Sequence, residues 1–156
     1  MQRSGILVYF AAPLFNERER QFNSCLVGQL ENYVHVFLPQ RDGALLVDML
    51  TAGVPQCVAE RRVFEQDCRA MILADVLVAV LDGGHIDEGV AFEIGFAYAL
   101  GKPCIGLQTD VRRALRSGNN PMIAQGLTEI LGDVEAIVAW IKEFALTHAC
   151  SSAVRA

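Results

Sequence analysis

The chain has 156 residues, of which 53% are hydrophobic and 20% charged, and its net charge at pH 7 is −5. This length and composition suit one globular domain with a buried core and exclude a largely disordered chain. The acidic balance, with basic residues clustered only in short pairs such as Arg61-Arg62, also argues against nucleic acid or an anionic membrane as the main partner.

Strand-like and helix-like segments alternate along the chain. Short apolar runs with the composition of buried strands are residues 6–10, 34–38, 76–81 and 104–107. Helices are predicted from the cap Asn16 to about residue 32, and over residues 44–52, 60–73, 88–100 and 134–147. Residues 109–120 form the longest irregular stretch, and such loops in compact domains are often functional.

This alternation predicts a parallel sheet with helices on both faces. We expect a single three-layer α/β/α domain over residues 1–156, with a flavodoxin-like, doubly wound parallel sheet of five strands. Right-handed crossovers place the ligand crevice of such a fold at the carboxyl ends of the strands.

The cysteine and glycine patterns give no sign of a metal or a cofactor. Five cysteines without C-x-x-C spacing, and an apolar N-terminal run too short for a signal peptide or a transmembrane span, indicate a cytoplasmic protein with reduced thiols. The histidines are scattered, and none pairs with a cysteine at the spacing of metal ligands. No G-x-G-x-x-G or G-x-x-x-x-G-K-[ST] motif is present, and Asp87 and Glu88 would repel a pyrophosphate at the helix they begin.

A glutamate within an apolar helix is the clearest functional signal. Glu93 lies in DEGVAFEIGFAYALGKP, residues 87–103, where a core helix would carry an apolar side chain. Asp87 lies roughly 9 Å away along the helix axis, and helical side chains lean toward the N-terminus, so Glu93 points to the crevice beside Asp87. Gly89, one turn before Glu93, leaves space for a substrate. A carboxylate in apolar surroundings is costly unless it is hydrogen-bonded or functional.

Each of these carboxylates also has an ordinary structural interpretation. Glu93 can pair with a cation on a solvated face, although Lys102 is too distant for an i,i+4 pair. Asp87 can serve as a helix N-cap alone, and Asp67 as a surface residue of its helix.

Several segments together resemble the nucleoside 2-deoxyribosyltransferase family. They are VYFAAPLF (residues 8–15), FLPQRD (37–42), DEGVAFEIGFAYALGKP (87–103) and NPM (120–122). The likeness extends over nearly the whole chain, and its specificity lies in the joint order and spacing of these motifs.

The resemblance implies a catalytic role for four residues. Glu93 corresponds to the nucleophile that attacks the anomeric carbon of a 2′-deoxynucleoside, and Tyr9 to the tyrosine that holds this glutamate. Asp67 and Asp87 correspond to aspartates that contact the sugar and base and protonate the leaving base. The expected substrates are therefore 2′-deoxynucleosides and free nucleobases.

The resemblance also implies substrate contacts outside this group. Phe15, Gln40 and Asp42 lie in segments expected to contact the substrate, with residues 37–42 forming part of the nucleobase wall. Asn120 and Met122 correspond to residues that a neighbouring subunit contributes to the site, which implies a homo-oligomer.

This set of residues suits cleavage of an N-glycosidic bond. A carboxylate stabilises the oxocarbenium-like transition state and then captures the sugar, while a second carboxyl group protonates the departing base. Attack by a different base gives ping-pong exchange with retained configuration.

Two features depart from the family pattern. Some members use their C-terminal carboxylate to orient the tyrosine, whereas this chain ends in the polar THACSSAVRA. The loop after residue 109 carries Arg112, Arg113 and Arg116, which are either solvated or attract a phosphate.

Alternatives to transfer therefore stay open. A related hydrolase would cleave 2′-deoxynucleoside 5′-monophosphates and pass the sugar to water, but AAPLFNERER lacks the Gly/Ser/Arg-rich phosphate loop of those enzymes. A flavodoxin-like module that binds nucleosides without turnover is another alternative. A response-regulator receiver would need acidic residues after the first strand, where YFAAPLF has none.

Overall fold

The computed structural model describes residues 5–110 and 119–153, which form a five-stranded sheet with helices on both faces. The strands are β1 (Leu7–Ala11), β2 (His35–Phe37), β3 (Val76–Val80), β4 (Cys104–Leu107) and β5 (Glu129–Leu131). The helices of these ranges are α1 (Glu17–Leu30), α2 (Pro39–Asp42), α3 (Leu46–Thr51), α4 (Gln56–Leu73), α5 (Glu88–Ala99), α6 (Pro121–Gly126) and α7 (Val134–Ala153). The order β2-β1-β3-β4-β5, with every neighbouring pair parallel, confirms the predicted flavodoxin-like fold.

The twofold periodicity of β1 divides its side chains between two apolar layers. Val8 and Phe10 pack with residues of α1 and α7, whereas Tyr9 and Ala11 lie in the layer formed with α4 and α5. β3 is buried at every position of VLVAV, as expected for a central strand covered on both faces. The site-bearing helices α4 and α5 therefore cover one face of the sheet.

Most predicted elements are present, with shifted boundaries. Asn16 and Glu19 form the capping box that begins α1, and Asp87 caps α5. α4 begins at Gln56 rather than residue 60, and α7 continues to Ala153.

Three short elements were not located from the sequence, although the expected sheet of five strands requires one strand beyond the four that were located. α2, α6 and β5 have at most six residues each, too few to establish a hydrophobic period. Pro39, directly after the predicted strand of residues 34–38, is the first residue of α2, a position that proline favours.

The order of the sheet reverses between β1 and β3, which creates a crevice at the carboxyl ends of these strands. Tyr9 lies on β1 beside Phe37 of β2 and Leu77 of β3. None of the helices in the described ranges combines the length and the apolar character that crossing a membrane requires.

Candidate active site

The Tyr9 and Glu93 side chains meet where α5 packs on the sheet. The Tyr9 hydroxyl donates a hydrogen bond to Glu93 Oε1 at 2.5 Å, at the short end of the range for O–H donors. Tyr9 is fully buried, and its ring stacks on Phe37 with centroids 5.6 Å apart, which holds the hydroxyl in place. The structure thus brings together the two residues that the resemblance pairs.

The surroundings of Glu93 favour its protonated form. Burial raises the pKa of Glu93 to about 8; the Tyr9 hydrogen bond opposes this rise, and the charges of Asp67 and Asp87 add to it. Burial and then the charge of Glu93 raise the pKa of Tyr9, so the phenol remains a donor. Desolvation therefore disfavours the ionised form of Glu93.

Asp67 of α4 lies near Glu93, and both side chains border the same cavity. Its Oδ1 is buried and has no hydrogen-bond partner among the described residues. Burial raises the pKa of Asp67 to about 6, close to the range in which a carboxyl group can exchange protons at neutral pH.

Asp87 and Gly89 lie at the N-terminus of α5. Asp87 Oδ1 accepts a hydrogen bond from Val90 N at 3.1 Å, so its capping role is observed. A Cβ atom at position 89 would lie 3.0 Å from Asp87 Oδ1, so glycine leaves this carboxylate room. A capping role does not remove Asp87 from the site, because the same side chain borders the cavity described next.

A cavity of about 340 Å³ opens beside these carboxyl groups. Asp67, Asp87 and Glu93 contribute its acidic side. The remaining lining is apolar or glycine: Ala12, Leu14, Phe15, Pro39, Gly43, Ala44, Leu45, Leu46, Val63 and Gly89. Small-molecule sites commonly have this size and this combination of apolar walls with a few convergent polar groups.

A second cavity of about 280 Å³ adjoins the first and shares five lining residues with it: Leu46, Val63, Asp67, Gly89 and Glu93. Phe64, Cys68 and Met71 of α4 and Phe92 of α5 are among its other lining residues. Cys68 was not among the residues predicted for the site, although it lies one helical turn after Phe64 and therefore on the same face of α4. Within the described part of the chain, neither cavity is lined by Lys, Arg or His.

Gln40 and Asp42 are placed differently from their expected role. Neither lines either cavity. Gln40 Nε2 donates to Arg20 O at 2.9 Å, toward α1. The Asp42 carboxylate accepts from Leu38 N at 2.9 Å and from Arg41, whose hydrogen bonds hold the pKa of Asp42 below its ordinary value. Both side chains are therefore engaged with neighbouring segments and lie outside the lining of the two cavities.

The remaining predicted contacts are divided between the cavity and the surface. Phe15 lines the first cavity and is 73% exposed. Asn120 caps α6, where its Oδ1 accepts from Met122 N at 2.9 Å, and Met122 is 83% exposed. Neither Asn120 nor Met122 lines the first or the second cavity. The arginines at positions 112, 113 and 116 lie outside the described residues.

This arrangement places two carboxyl groups with raised pKa values beside one largely apolar cavity. Tyr9 orients Glu93 through its hydrogen bond. Asp67 has one buried oxygen without a hydrogen-bond partner among the described residues, and its pKa is raised to about 6. Among the residues that the structure describes, no three His, Cys, Asp or Glu side chains are grouped as metal ligands.

Paired carboxyl groups at the switch point of a flavodoxin-like sheet define a class of small-molecule site, and sequence comparisons give the family. The family model for nucleoside 2-deoxyribosyltransferase matches residues 8–143. The nucleoside deoxyribosyltransferase of Limosilactobacillus fermentum is 32% identical over 127 residues, which cover 78% of this chain and 76% of that protein. The chain belongs to the nucleoside 2-deoxyribosyltransferase family, as its motifs indicated.

Further similarities show that the family is catalytically mixed. A putative 2′-deoxynucleoside 5′-phosphate N-hydrolase 1 of Thermofilum pendens is 36% identical over 101 residues, covering 64% of this chain and 66% of that protein. A conserved protein of Enterococcus faecalis V583 superposes with a TM-score of 0.70 at 27% identity, over 90% of this chain and 99% of that one. The family therefore consists of enzymes that act on deoxynucleosides, with transferases and hydrolases among them.

Proposed function

We propose that this protein is a nucleoside 2-deoxyribosyltransferase that moves 2-deoxyribose between purine or pyrimidine bases through a covalent deoxyribosyl-Glu93 intermediate. The main support is the Glu93 carboxyl group, which Tyr9 holds at 2.5 Å and which borders an apolar cavity with Asp67 and Asp87.

In the first half-reaction, Glu93 attacks C1′ of a 2′-deoxynucleoside. Tyr9 engages Oε1, so Oε2 is the attacking oxygen. The N-glycosidic bond breaks, its electron pair passes to the base, and Asp67 donates the proton with which the base leaves neutral. The product is an ester between C1′ and Glu93.

In the second half-reaction, a nitrogen of another base attacks C1′ and the ester bond breaks. Asp67, now ionised, accepts the proton that the incoming nitrogen loses, and Glu93 leaves as a carboxylate that Tyr9 again stabilises. Two displacements at C1′ retain the configuration. The apolar walls disfavour water as the competing nucleophile.

A 2′-deoxynucleoside suits the described site better than its 5′-monophosphate. Carboxyl groups of Asp67, Asp87 and Glu93 border the first cavity and that of Glu60 the second, without a cation among the described lining residues. A phosphate group held there would have no counter-charge. Hydrolysis of the monophosphate is the second candidate, supported by the relative named as a 5′-phosphate N-hydrolase.

The active form is proposed to be a homo-oligomer in which Asn120 and Met122 reach a neighbouring subunit's site. Met122 is a large apolar side chain that is 83% exposed in a single chain, and cover by a second copy would remove it from water.

Incubation with 2′-deoxyinosine and adenine tests the assignment. We expect formation of 2′-deoxyadenosine, and a mass increase of one deoxyribosyl group on the intact protein when the acceptor is omitted. Glu93→Ala should abolish both, whereas Glu88→Ala, on the exposed start of the same helix, should retain them. Free deoxyribose without exchange would support hydrolysis, and nucleoside binding without either product would indicate a non-catalytic module.

A further inference from the structure

A buried asparagine lies behind the wall of the first cavity. Asn23 of α1 is 2% exposed and is the one buried residue with an amide or charged side chain within the described ranges. Its Nδ2 donates to Pro13 O at 2.9 Å and to Gln40 Oε1 at 3.0 Å. Both partners are acceptors, so both N–H groups of the amide are used. A buried amide satisfied in this way favours one arrangement of the segments it joins.

Gln40 continues the connection back to α1. Its Nε2 donates to Arg20 O at 2.9 Å and to Ser24 Oγ at 3.0 Å. Arg20 in turn donates from Nη1 to Leu14 O at 3.2 Å. These bonds tie α1 to the loop after β1 and to α2.

The two connected segments both supply the wall of the first cavity. The lining residues are Ala12, Leu14 and Phe15 from the loop around Pro13, and Pro39, Gly43 and Ala44 from the segment around Gln40. Asn23 and Gln40 do not line the cavity themselves. The amide link therefore sets how the two parts of the wall are spaced.

We propose that Asn23 and Gln40 are positioning residues for the substrate, acting through the wall and not through contact with the nucleoside. The assignment of the substrate rests on the proposed function. The wall contacts the nucleoside similarly in the ground state and the transition state, so a loosened wall weakens binding in both. Loss of the link thus raises KM and leaves kcat nearly unchanged.

A direct contact between Gln40 and the base, which the family resemblance implies, makes a different prediction. A hydrogen bond to the base distinguishes 2′-deoxyadenosine from 2′-deoxyinosine, because the donors and acceptors on their base edges are reversed. It would also operate independently of Asn23, so the effects of the two substitutions would add.

Asn23→Ala, Gln40→Ala and the double variant separate these cases. Each single substitution should raise KM by roughly tenfold, alike for both nucleosides, as expected for the loss of one or two hydrogen bonds. The double variant should be no worse than the more severe single one. Gln21→Ala, which removes an amide bonded to Glu17 on the exposed face of α1, is the matched control and should behave as wild type.

Several results would overturn the positioning role: additive effects, an effect confined to one nucleoside, a fall in kcat alone, or an unchanged KM in a folded variant. Circular dichroism verifies folding. Should Asn23→Ala not fold, Gln40→Ala on the partly exposed α2 still decides between a base-selective and a uniform effect.

Hydrogen–deuterium exchange gives a readout that needs no turnover. The peptide containing residues 12–16 should exchange faster in Asn23→Ala and Gln40→Ala, on the order of tenfold, and at the wild-type rate in Gln21→Ala. Unchanged protection of this peptide refutes the positioning role. A wild-type protein without base exchange refutes the proposed function instead, so the two failures are distinguishable.

Discussion

Replacing Tyr9 by phenylalanine should move the pH dependence of the reaction and not simply lower its rate. The substitution removes the hydroxyl that donates to Glu93 Oε1 at 2.5 Å and leaves the ring that stacks on Phe37. This hydrogen bond lowers the pKa of Glu93 against the effect of burial. Without it, the pKa of Glu93 rises further above about 8, and a smaller share of the protein carries the nucleophilic carboxylate at neutral pH.

The size of the effect follows from the free energy of the hydrogen bond. With the pKa of Glu93 at about 8, about a tenth of the molecules are ionised at pH 7. A hydrogen bond to a charged group contributes roughly 1.5–3 kcal/mol, which corresponds to about a ten- to hundredfold loss of the ionised form. The rate of sugar transfer to Glu93 should fall by the same factor at pH 7 and approach the wild-type rate as the pH rises.

The assay should isolate Glu93 from the group that protonates the base. 7-Methyl-2′-deoxyguanosine is a suitable donor because its base leaves without a proton. The ratio of kcat/KM between wild type and Tyr9→Phe, measured from pH 6 to 9 with the uncatalysed loss of base subtracted, cancels the ionisation of the donor itself and reports the change in the pKa of the free enzyme. Tyr98→Phe, at a position that is 62% exposed, is the matched control. An equal loss of rate at every pH would show that Tyr9 does not act through the ionisation of Glu93.

Three further predictions concern the effect of Glu93 on the free energy of unfolding, the proton donated by Asp67 and the packing of the cavity wall at Gly43. Folding raises the pKa of Glu93 from an ordinary 4.5 to about 8, so between these pH values the folded protein binds a proton there that the unfolded chain lacks. The free energy of unfolding therefore falls as the pH rises through this window. In urea unfolding, Glu93→Gln should be more stable than wild type by a few kcal/mol at pH 8.5 and nearly equal to it at pH 5. Asp67→Asn should slow transfer from 2′-deoxyadenosine by about 10²–10⁴-fold while largely sparing 7-methyl-2′-deoxyguanosine in initial-rate assays, and equal losses would contradict its role as the acid. Gly43→Ala would place a Cβ 2.5 Å from Pro39 O and should lower the free energy of unfolding by roughly 1–3 kcal/mol. Gly28 lies within α1, and a Cβ added there would meet no atom within 4 Å, so Gly28→Ala should raise the free energy of unfolding. Equal effects of the two substitutions in urea titrations would argue against the steric explanation.

The fold was predictable where the chain carries a pattern longer than one turn. VLVAV identifies the central strand β3, and Asp87 with Gly101 bounds the helix that carries Glu93. β5 and α6 carry no comparable signal, because a three-residue edge strand and a six-residue helix present too few alternations.

The site was predictable only in part, for a related reason. Glu93 is recognisable because a carboxylate interrupts an apolar helix, but its partner Tyr9 lies 84 positions away and was assigned by family resemblance alone. Gln40 and Asp42 belong to a segment that does border the cavity, yet their side chains point elsewhere. Their direction depends on α2, a single helical turn that the sequence did not predict.

The two raised pKa values in the site also bear on how the reaction begins. The pKa of Asp67 is about 6 and that of Glu93 is about 8, so in the empty site near pH 7 Glu93 is mostly protonated and Asp67 mostly ionised. The proposed chemistry needs the reverse, an ionised Glu93 and a protonated Asp67. A bound nucleoside favours this reversal, because a basic nitrogen of the nucleobase stabilises a protonated Asp67 beside it. In the transition state, the positive charge that develops at C1′ then stabilises the Glu93 carboxylate. The proposed reaction therefore requires Glu93 to lose its proton and Asp67 to gain one, and the Tyr9 hydroxyl, which stabilises the charged form of Glu93, lowers the free energy of the first of these changes.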